Sequence, residues 1–286
     1  MARTGGKASL PLWKKAWLRL ARPARRFIRF RPGHARKAFG IFERPFAALA
    51  YHLELKGIGA PMALGIRGGG SFRVATGDEF GCLWSCWVDE EYPLRGDESL
   101  VFDAGANLGA FSLYAARKCP GARIHALEPM ASTFARLEAN LDASPWGARV
   151  SALRAGIAAS DGIRAIYSAG QSPYSGFYAK GPAAIGEQVE VLGLAGWLAA
   201  AGDPPRADVL KMDCEGAEME ALLGAEAATL RRFDRIGFEF HEISGIPYAK
   251  VEAHLEAAGF ERTSLRREPA YGTGIAWFRR AGETAR

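Results

Sequence analysis

The sequence predicts an α/β protein built on a mostly parallel sheet, with an antiparallel edge and helices on both faces. From residue 100 onward, short apolar strands alternate with helices of about ten to fifteen residues, which is typical of βαβ units. The last two strands, near 260–266 and 274–279, follow each other without a helix and predict the antiparallel edge. A glycine-containing turn, VFDAGANLG at 101–109, follows the first strand, where open α/β sheets bind ligands.

The individual elements follow from apolar periodicity and turn residues. Strands are expected at 100–104, 123–127, 149–153, 207–212 and 235–240, and helices at 109–118, 131–142, 217–230 and 248–258. A hairpin-like pair is expected around the turn Ser160-Asp161-Gly162. Upstream of residue 100, SFRVATG and the stretch from CLWSCWV to EEYPL predict short strands and turns.

Charge divides the chain into a basic arm (1–60), a short strand-rich lead-in (61–99) and a body (100–286). The arm holds fourteen Lys or Arg and two acids, whereas the remaining 226 residues hold 23 basic and 29 acidic side chains. Residues 10–44 interleave aromatics with Arg and Lys, and Trp13, Trp17 and Leu20 share one helical face. This pattern fits contact with an anionic membrane surface, and equally an arm that packs on the body. Nucleic acid is less favoured, because no binding module accompanies the charge.

Other protein classes find little support in the sequence. A membrane span needs about eighteen uninterrupted apolar residues, and the best candidate, VLGLAGWLAAAG at 191–202, has twelve. The basic N-terminus lacks the apolar core of a secretory signal. The cysteines, which are Cys82, Cys86, Cys119 and Cys214, do not have zinc-site spacing and are expected to be reduced thiols. The expected location is therefore the cytoplasm, with the inner membrane face as an alternative set by the arm.

The turn at 103–109 and the acid after the next strand predict a nucleoside site. Gly105 permits a tight turn and Gly109 a close helix start, but Asn107 stands where a dinucleotide fingerprint needs its middle glycine. A ligand without phosphates, carrying an amino acid and an adenosine, suits this turn better, and Asp103 is placed to hold an ammonium directly or through water. Glu128 is placed to accept hydrogen bonds from a ribose diol, a feature shared with NAD enzymes.

The reaction side is expected after two later strands. Asp213 ends the strand at 207–212, and Glu215 and Glu218 follow it, where helix capping is an alternative role for both glutamates. His241, preceded by Glu239, is the histidine placed at a strand tip and is a candidate base, as is Asp213. A Mg²⁺ held by Asp213, Glu239 and His241 is a weaker option than a metal-free site.

The motifs in their order resemble the FkbM-type methyltransferases, class I enzymes with a Rossmann-like sheet that use S-adenosylmethionine (SAM). They are EEYPL (90–94), VFDAGANLGAFSLYAA (101–116), HALEP (125–129), ASDG (159–162), VLKMDCEGAEMEALLGA (209–225) and FEFHE (238–242). The resemblance covers about residues 70 to 265 and not the basic arm. Cys214 and Met130 stand where Val and Asn are commoner in the family, and neither change alters a predicted contact.

The resemblance implies methyl transfer to a hydroxyl of a sugar, a polysaccharide or a natural product. It implies SAM binding by Asp103, Gly105, Asn107, Gly109 and Glu128, with Ser160 or Asp161 near the adenine. The hypothesis from the strand tips makes Asp213 or His241 the general base, while Glu215 and Glu239 orient a sugar. Acceptor specificity is expected in residues 168–188 and in the strands before residue 100.

Three alternatives remain open at this level. An NAD-dependent oxidoreductase is disfavoured by Asn107 and by the DCEG tract at 213–216. A nucleic-acid methyltransferase is suggested by the basic arm and by DPPR at 203–206. That tract precedes its strand, however, and lacks the aromatic that stacks on a flipped base. A SAM-fold protein without catalysis, docking through its arm, is the third.

Overall fold

The computed structural model describes residues 32–168, 175–176, 185–268 and 272–282. The helices are α1 Pro32–Ile41, α2 Pro45–His52, α3 Gly77–Trp84, α4 Ala110–Lys118, α5 Ala131–Asp142, α6 Leu194–Ala200, α7 Ala217–Gly224, α8 Ala227–Leu230 and α9 Tyr248–Ala257. The strands are β1 Met62–Gly65, β2 Ser71–Val74, β3 Leu100–Ala104, β4 Arg123–Leu127, β5 Val150–Leu153, β6 Gly156–Ile157, β7 Gly162–Ser168, β8 Ser175–Gly176, β9 Ile185–Leu192, β10 Ala207–Met212, β11 Phe233–His241, β12 Phe260–Glu268 and β13 Thr273–Arg280.

A seven-stranded sheet in the order β12-β13-β11-β10-β3-β4-β5 forms the centre of the body. The five strands from β11 to β5 are parallel, and β13 and β12 add the antiparallel edge. The predicted fold is therefore confirmed. The strand order reverses beside β3, and its neighbours β4 and β10 belong to different halves of the chain. The carboxyl ends of β3, β4, β10 and β11 consequently meet at one edge, where such sheets bind ligands.

Two apolar clusters cover the two faces of this sheet. Successive residues of a strand point to opposite faces, so Val101 belongs to one cluster and Phe102 to the other. Val209 and Leu210 divide in the same way on β10. Burial of an aromatic or aliphatic side chain of this size stabilises the folded protein by about 1.5–3 kcal/mol. Packing on both faces therefore fixes the strands, and with them the strand ends where a ligand would bind.

The described part of the basic arm packs on the body. Ala38 from α1, Phe42 just after it, and Ala48 and Tyr51 from α2 are buried in the first cluster, and Phe42 stacks on Trp84 with ring centroids 6.3 Å apart. Trp13, Trp17 and Leu20 lie outside the described residues. Among the residues that are described, no helix is long and apolar enough to cross a membrane.

The expectation of strands and turns from Cys82 to Asp89 is wrong, because residues 77–89 are helical. Thr76 caps α3 by accepting a hydrogen bond from the Glu79 backbone N–H, and Glu79 accepts one from Ala75. A π-helical turn, Ser85–Asp89, continues the helix. The buried apolar residues recur at helical spacing: Phe80, Leu83, Trp84, Trp87 and Val88. Aromatic and β-branched residues are common in strands, so the composition of this segment favours strands although its burial has the period of a helix.

Three further details differ from the sequence prediction. The strands flanking the Ser160–Gly162 turn do not pair as a hairpin, since β6 and β7 both pair with β9. The Asp161 carboxylate accepts a hydrogen bond from the Gly193 backbone N–H at 2.7 Å and so ties this turn to the end of β9. The helix expected at 217–230 is divided into α7 and α8 by extended backbone at Ala225 and Glu226, and α6 was not predicted.

Candidate active site

A cleft of about 340 Å³ lies at the carboxyl ends of the parallel strands. The loops after β3, β4, β10 and β11 line one part of it, and α3 with the residues after its π-helical turn lines another. Seven of the predicted site residues line this cleft: Gly105, Asn107, Glu128, Asp213, Glu215, Glu239 and His241. The structure therefore brings both halves of the predicted site, the nucleoside side and the reaction side, into one cavity.

The turn after β3 depends on two glycines. Gly105 has a φ of 73°, and a Cβ built on it would overlap the backbone carbonyl oxygen of Asp213. Gly109 has a φ of 86° and immediately precedes α4, where an added Cβ would lie 2.7 Å from Leu137 Cδ1. Both positions combine left-handed backbone with a close neighbour, so side chains are excluded on two grounds. The neighbouring residues can approach these two positions closely because neither carries a Cβ.

Asn107 and Glu128 are joined at the wall of the cleft. The Asn107 backbone, at a φ of 51°, donates its N–H to Glu128 Oε2 at 3.0 Å, and the Met130 N–H donates to Oε1 at 3.0 Å. Burial raises the pKa of Glu128 to about 7, against the effect of these two donors. The amide that a dinucleotide turn would offer to a phosphate is therefore occupied by a carboxylate. Each Glu128 oxygen keeps a second acceptor position for a hydroxyl.

Asp103 is fully buried beneath the turn and does not line the cleft. The Lys211 ammonium lies 2.9 Å from Asp103 Oδ1 and 3.1 Å from the Gly105 carbonyl oxygen, and the Ser112 hydroxyl donates to Oδ2 at 2.6 Å. Burial would lower the pKa of Lys211, but the Asp103 and Asp213 carboxylates outweigh it and raise this pKa. Lys211 stays charged and does line the cleft. Both Asp103 oxygens already have protein donors. The contact with a ligand ammonium that the sequence predicts for Asp103 remains a prediction.

Glu218 joins the turn after β10 to the end of β11. Its carboxylate is fully buried and accepts hydrogen bonds at Oε2 from the Cys214 and Gly216 backbone N–H groups, at 3.2 and 3.0 Å. Oε1 accepts from the His241 N–H at 2.9 Å and lies 3.1 Å from His241 Nδ1. The capping role considered for Glu218 is therefore present, and the same carboxylate also orients the imidazole.

The carboxylates around His241 favour the protonated form of its imidazole. Burial alone would lower its pKa, but the hydrogen bond and charge of Glu218, with Asp213 and Glu215, raise it to about 10. His241 Nε2 lies 3.9 Å from a Glu215 oxygen and 4.0 Å from a Glu239 oxygen. Burial and the Asp213 charge raise the pKa of Glu239, while His241 opposes the shift. A protonated imidazole cannot accept a further proton.

Replacement of Glu218 by Gln is expected to lower the free energy of unfolding by about 3 kcal/mol, because His241 loses its buried partner. The folded-state pKa of His241 lies above its ordinary value of 6.5, so the folded state binds more protons. The stability from this pair is fully present below pH 6.5 and is lost as pH rises through about 10. Denaturant titrations at several pH values would show this slope in the native chain and a smaller one in E218Q.

The matched control is Glu220→Gln on the same helix. Glu220 forms a partly exposed ion pair with Arg164, so its loss should cost less than about 1 kcal/mol and leave the pH slope unchanged. Equal pH slopes in E218Q and the native chain would contradict the assignment of the His241 proton.

Asp213, Glu239 and His241 also form a group that could hold a cation. One ligand atom from each lies within 4.8 Å of the others. Mg²⁺ prefers oxygen ligands, whereas one of these three atoms belongs to an imidazole that keeps a proton. The group therefore fits proton sharing among side chains at least as well as it fits a metal ion.

Four predicted residues do not line the cleft: Asp103, Gly109, Ser160 and Asp161. Ser160 and Asp161 are exposed, and Gly156, Ile157 and Ile166 from the same part of the chain line the cleft instead. Most of the segment expected to set acceptor specificity, residues 169–174 and 177–184, lies outside the described residues. Before residue 100, the described residues that line the cleft belong to α3, its π-helical turn and the segment at Glu91 and Tyr92, and not to the expected strands.

The sequence reasoning missed several residues that line the cleft. Asp78, Cys82, Ser85 and Cys86 come from α3 and its π-helical turn, and Glu91, Tyr92 and Lys211 lie in motifs that had been recognised. The Lys211 ammonium lies 5.4 Å from the ring centroid of Tyr92. A signal for the helix was present in Thr76 and Glu79, three residues apart, which form a capping box.

The sheet order and the cleft at its switch point define a Rossmann-like α/β protein with a ligand site at the strand ends. The profile of the Methyltransferase FkbM domain matches residues 103–264. The chain belongs to this family.

Named relatives agree with that assignment. Over 183 residues the chain is 30% identical to Methyltransferase 1 of Beauveria bassiana, covering 57% of this chain and 73% of that protein. It is 32% identical over 200 residues to Methyltransferase sdnD of Sordaria araneosa, covering 59% and 76%. It is 29% identical over 205 residues to 31-O-demethyl-FK506 methyltransferase FkbM of Streptomyces tacrolimicus, covering 61% and 77%. Membership of a methyltransferase family decides against the oxidoreductase alternative.

Proposed function

We propose that the protein is a SAM-dependent O-methyltransferase that acts on a hydroxyl of a sugar, a polysaccharide or a natural product. The observation that carries this proposal is the position of Asp213. Its half-buried carboxylate lines the same cleft as the Gly105 turn and Glu128, and its histidine neighbour already carries a proton. A carboxylate so placed can receive the proton that an attacking hydroxyl must lose.

The residues of the nucleoside side fit SAM. Glu128 offers acceptor positions for a ribose diol, and the bare backbone at Gly105 permits close approach of a ligand. Ile157 and Ile166 supply apolar wall to the cleft. Lys211 is a fixed cation suited to a carboxylate, and Asp103 holds it in place. When bound, SAM would supply a methyl group activated by its sulfonium.

The residues of the reaction side hold the acceptor and exclude water. Asp213 accepts the hydroxyl proton, while Glu215 and Glu239 accept hydrogen bonds from neighbouring hydroxyls of a sugar-like acceptor. His241, fixed by Glu218, keeps its charge against these carboxylates and limits their mutual repulsion. Alignment and proton removal are what such a site must provide, since the methyl donor is already electrophilic.

The acceptor class is supported by one relative in particular. The name of 31-O-demethyl-FK506 methyltransferase states a methyl group placed on oxygen, on a complex natural product. We propose the same bond type for this chain, and a small-molecule or glycan acceptor. We propose the cytoplasm as the site of action, with the inner membrane face as the alternative set by the basic arm.

The direct test is methyl transfer from isotopically labelled SAM to panels of sugars, polysaccharides and polyhydroxylated natural products. NMR of the product locates the methyl group. Methylation on oxygen is the expected result. Transfer to RNA or DNA in place of these acceptors, or to nitrogen, would overturn the proposal, as would SAM binding without transfer to any panel.

Removal of divalent cations is expected to leave methyl transfer unchanged, because proton transfer at Asp213 needs no metal. The measurement compares kcat before and after treatment with EDTA, with Mg²⁺ restored as the control. Loss of activity on chelation and its recovery with Mg²⁺ would instead assign Asp213, Glu239 and His241 to a metal site.

A further inference from the structure

The two N-terminal helices expose apolar side chains on their outer face. Phe46 is 75% exposed, Leu55 just beyond α2 is 72% exposed, and Phe39 on α1 is 42% exposed. The rings of Phe39 and Phe46 contact each other edge to face, with centroids 5.1 Å apart. Other aromatic residues of the same segment, Phe42 and Tyr51, are buried in the core. Phe39 and Phe46 therefore do not contribute to the core.

Exposed cations adjoin this aromatic pair along the chain. Arg36 lies one helical turn before Phe39, and Arg44 stands immediately before α2. Residues 10–31, which lead into α1, contain eight Lys or Arg and no acid. Exposed Glu43 and Glu54 offset only part of this charge. Apolar side chains within a basic surround are the composition of a surface that binds anionic lipid headgroups.

We propose that the exposed face formed by Phe39 of α1 and Phe46 of α2 docks on an anionic lipid bilayer. The charge of the neighbouring segment favours this occupant. A second copy of the face would bring two basic surroundings together, and residues 10–31 folding back would add eight cations to a basic surface. A bilayer instead supplies negative charge for the cations and hydrocarbon for the aromatics. This proposal names the surface of the protein that contacts the membrane. It rests on the proposed location at the inner membrane face and not on the proposed reaction.

Co-sedimentation of the full chain with vesicles tests this surface. Binding is expected with vesicles that contain phosphatidylglycerol, and much less with pure phosphatidylcholine, and it should weaken with salt. The double variant Phe39→Ala/Phe46→Ala should lower the partition coefficient by about tenfold or more, the factor expected when two rings lose partial burial. The matched control is Leu153→Ala/Ile163→Ala, since both residues are exposed and apolar but lie on β5 and β7; it should bind as the native chain does.

Several results would overturn the proposal. Native-like binding by the Phe39/Phe46 variant would place lipid contact elsewhere, and equal binding to neutral vesicles would remove the anionic requirement. Binding of RNA without binding of vesicles would identify a nucleic acid as the partner, and a dimer lost in the variant would identify a second copy. Methyl transfer to a soluble acceptor, measured on the same variant, should equal that of the native chain, because neither phenylalanine lines the cleft. Failure of catalysis and failure of docking are thus separate outcomes.

Discussion

Replacement of Asp213 by Asn is expected to lower kcat for methyl transfer by about 10²–10⁴-fold, the range that a general base contributes. Asn keeps the shape of the side chain but cannot accept the hydroxyl proton. SAM affinity should remain near that of the native chain, because the nucleoside contacts belong to Gly105 and Glu128. Single-turnover kinetics with labelled SAM, together with calorimetric titration of SAM, separate the two effects.

A matched control variant and a second substitution distinguish Asp213 from its neighbours. Asp142→Asn, an exposed change at the end of α5, is the matched control and should leave kcat unaltered. Near-native kcat in D213N, together with loss of activity in His241→Ala, would transfer the role of base to the histidine.

Replacement of Gly105 by Ala is expected to abolish SAM binding and to lower the free energy of unfolding by about 2–5 kcal/mol. The new Cβ requires left-handed backbone of a non-glycine residue and overlaps the Asp213 carbonyl oxygen. Relief of that overlap must move either the turn after β3 or the loop that carries Asp213. Both movements distort the cleft, so binding and catalysis are lost together.

Calorimetric titration with SAM and chemical denaturation measure the two parts of this prediction. Gly121→Ala is the matched control, since a Cβ there meets no atom within 4 Å and its φ is not in the left-handed region. G121A should bind SAM as the native chain does. Native SAM affinity in G105A would show that the close approach at Gly105 is not needed for the site.

Much of the fold and the nucleoside side could be predicted because local pattern decides them. The alternation of strands and helices after residue 100 reflects burial of both sheet faces, and the position of Gly105 and Glu128 at strand ends follows from that topology. Asn107 in the middle-glycine position argues against a phosphate-binding turn. Its backbone N–H is engaged by Glu128, a contact 21 residues away in sequence that only the sheet order creates.

The remaining features depend on contacts that spacing does not encode. Asp103 stands at a strand tip like Asp213, yet Lys211, 108 residues later in sequence, pairs with Asp103 below the turn. Glu218 could be recognised as a cap but not as the partner of His241, because that contact joins two separate strand ends. From Cys82 to Asp89 the composition predicts strands and turns, although the buried residues recur with the period of a helix.

The central claim is that this cleft is a SAM site with Asp213 at its reaction side, and calorimetric titration of the intact protein with SAM and with NAD tests it most directly. We predict saturable binding of SAM, loss of that binding in G105A, and no binding of NAD, because the Asn107 amide is occupied by Glu128. Binding of NAD, or absence of SAM binding by the native chain, would contradict the account.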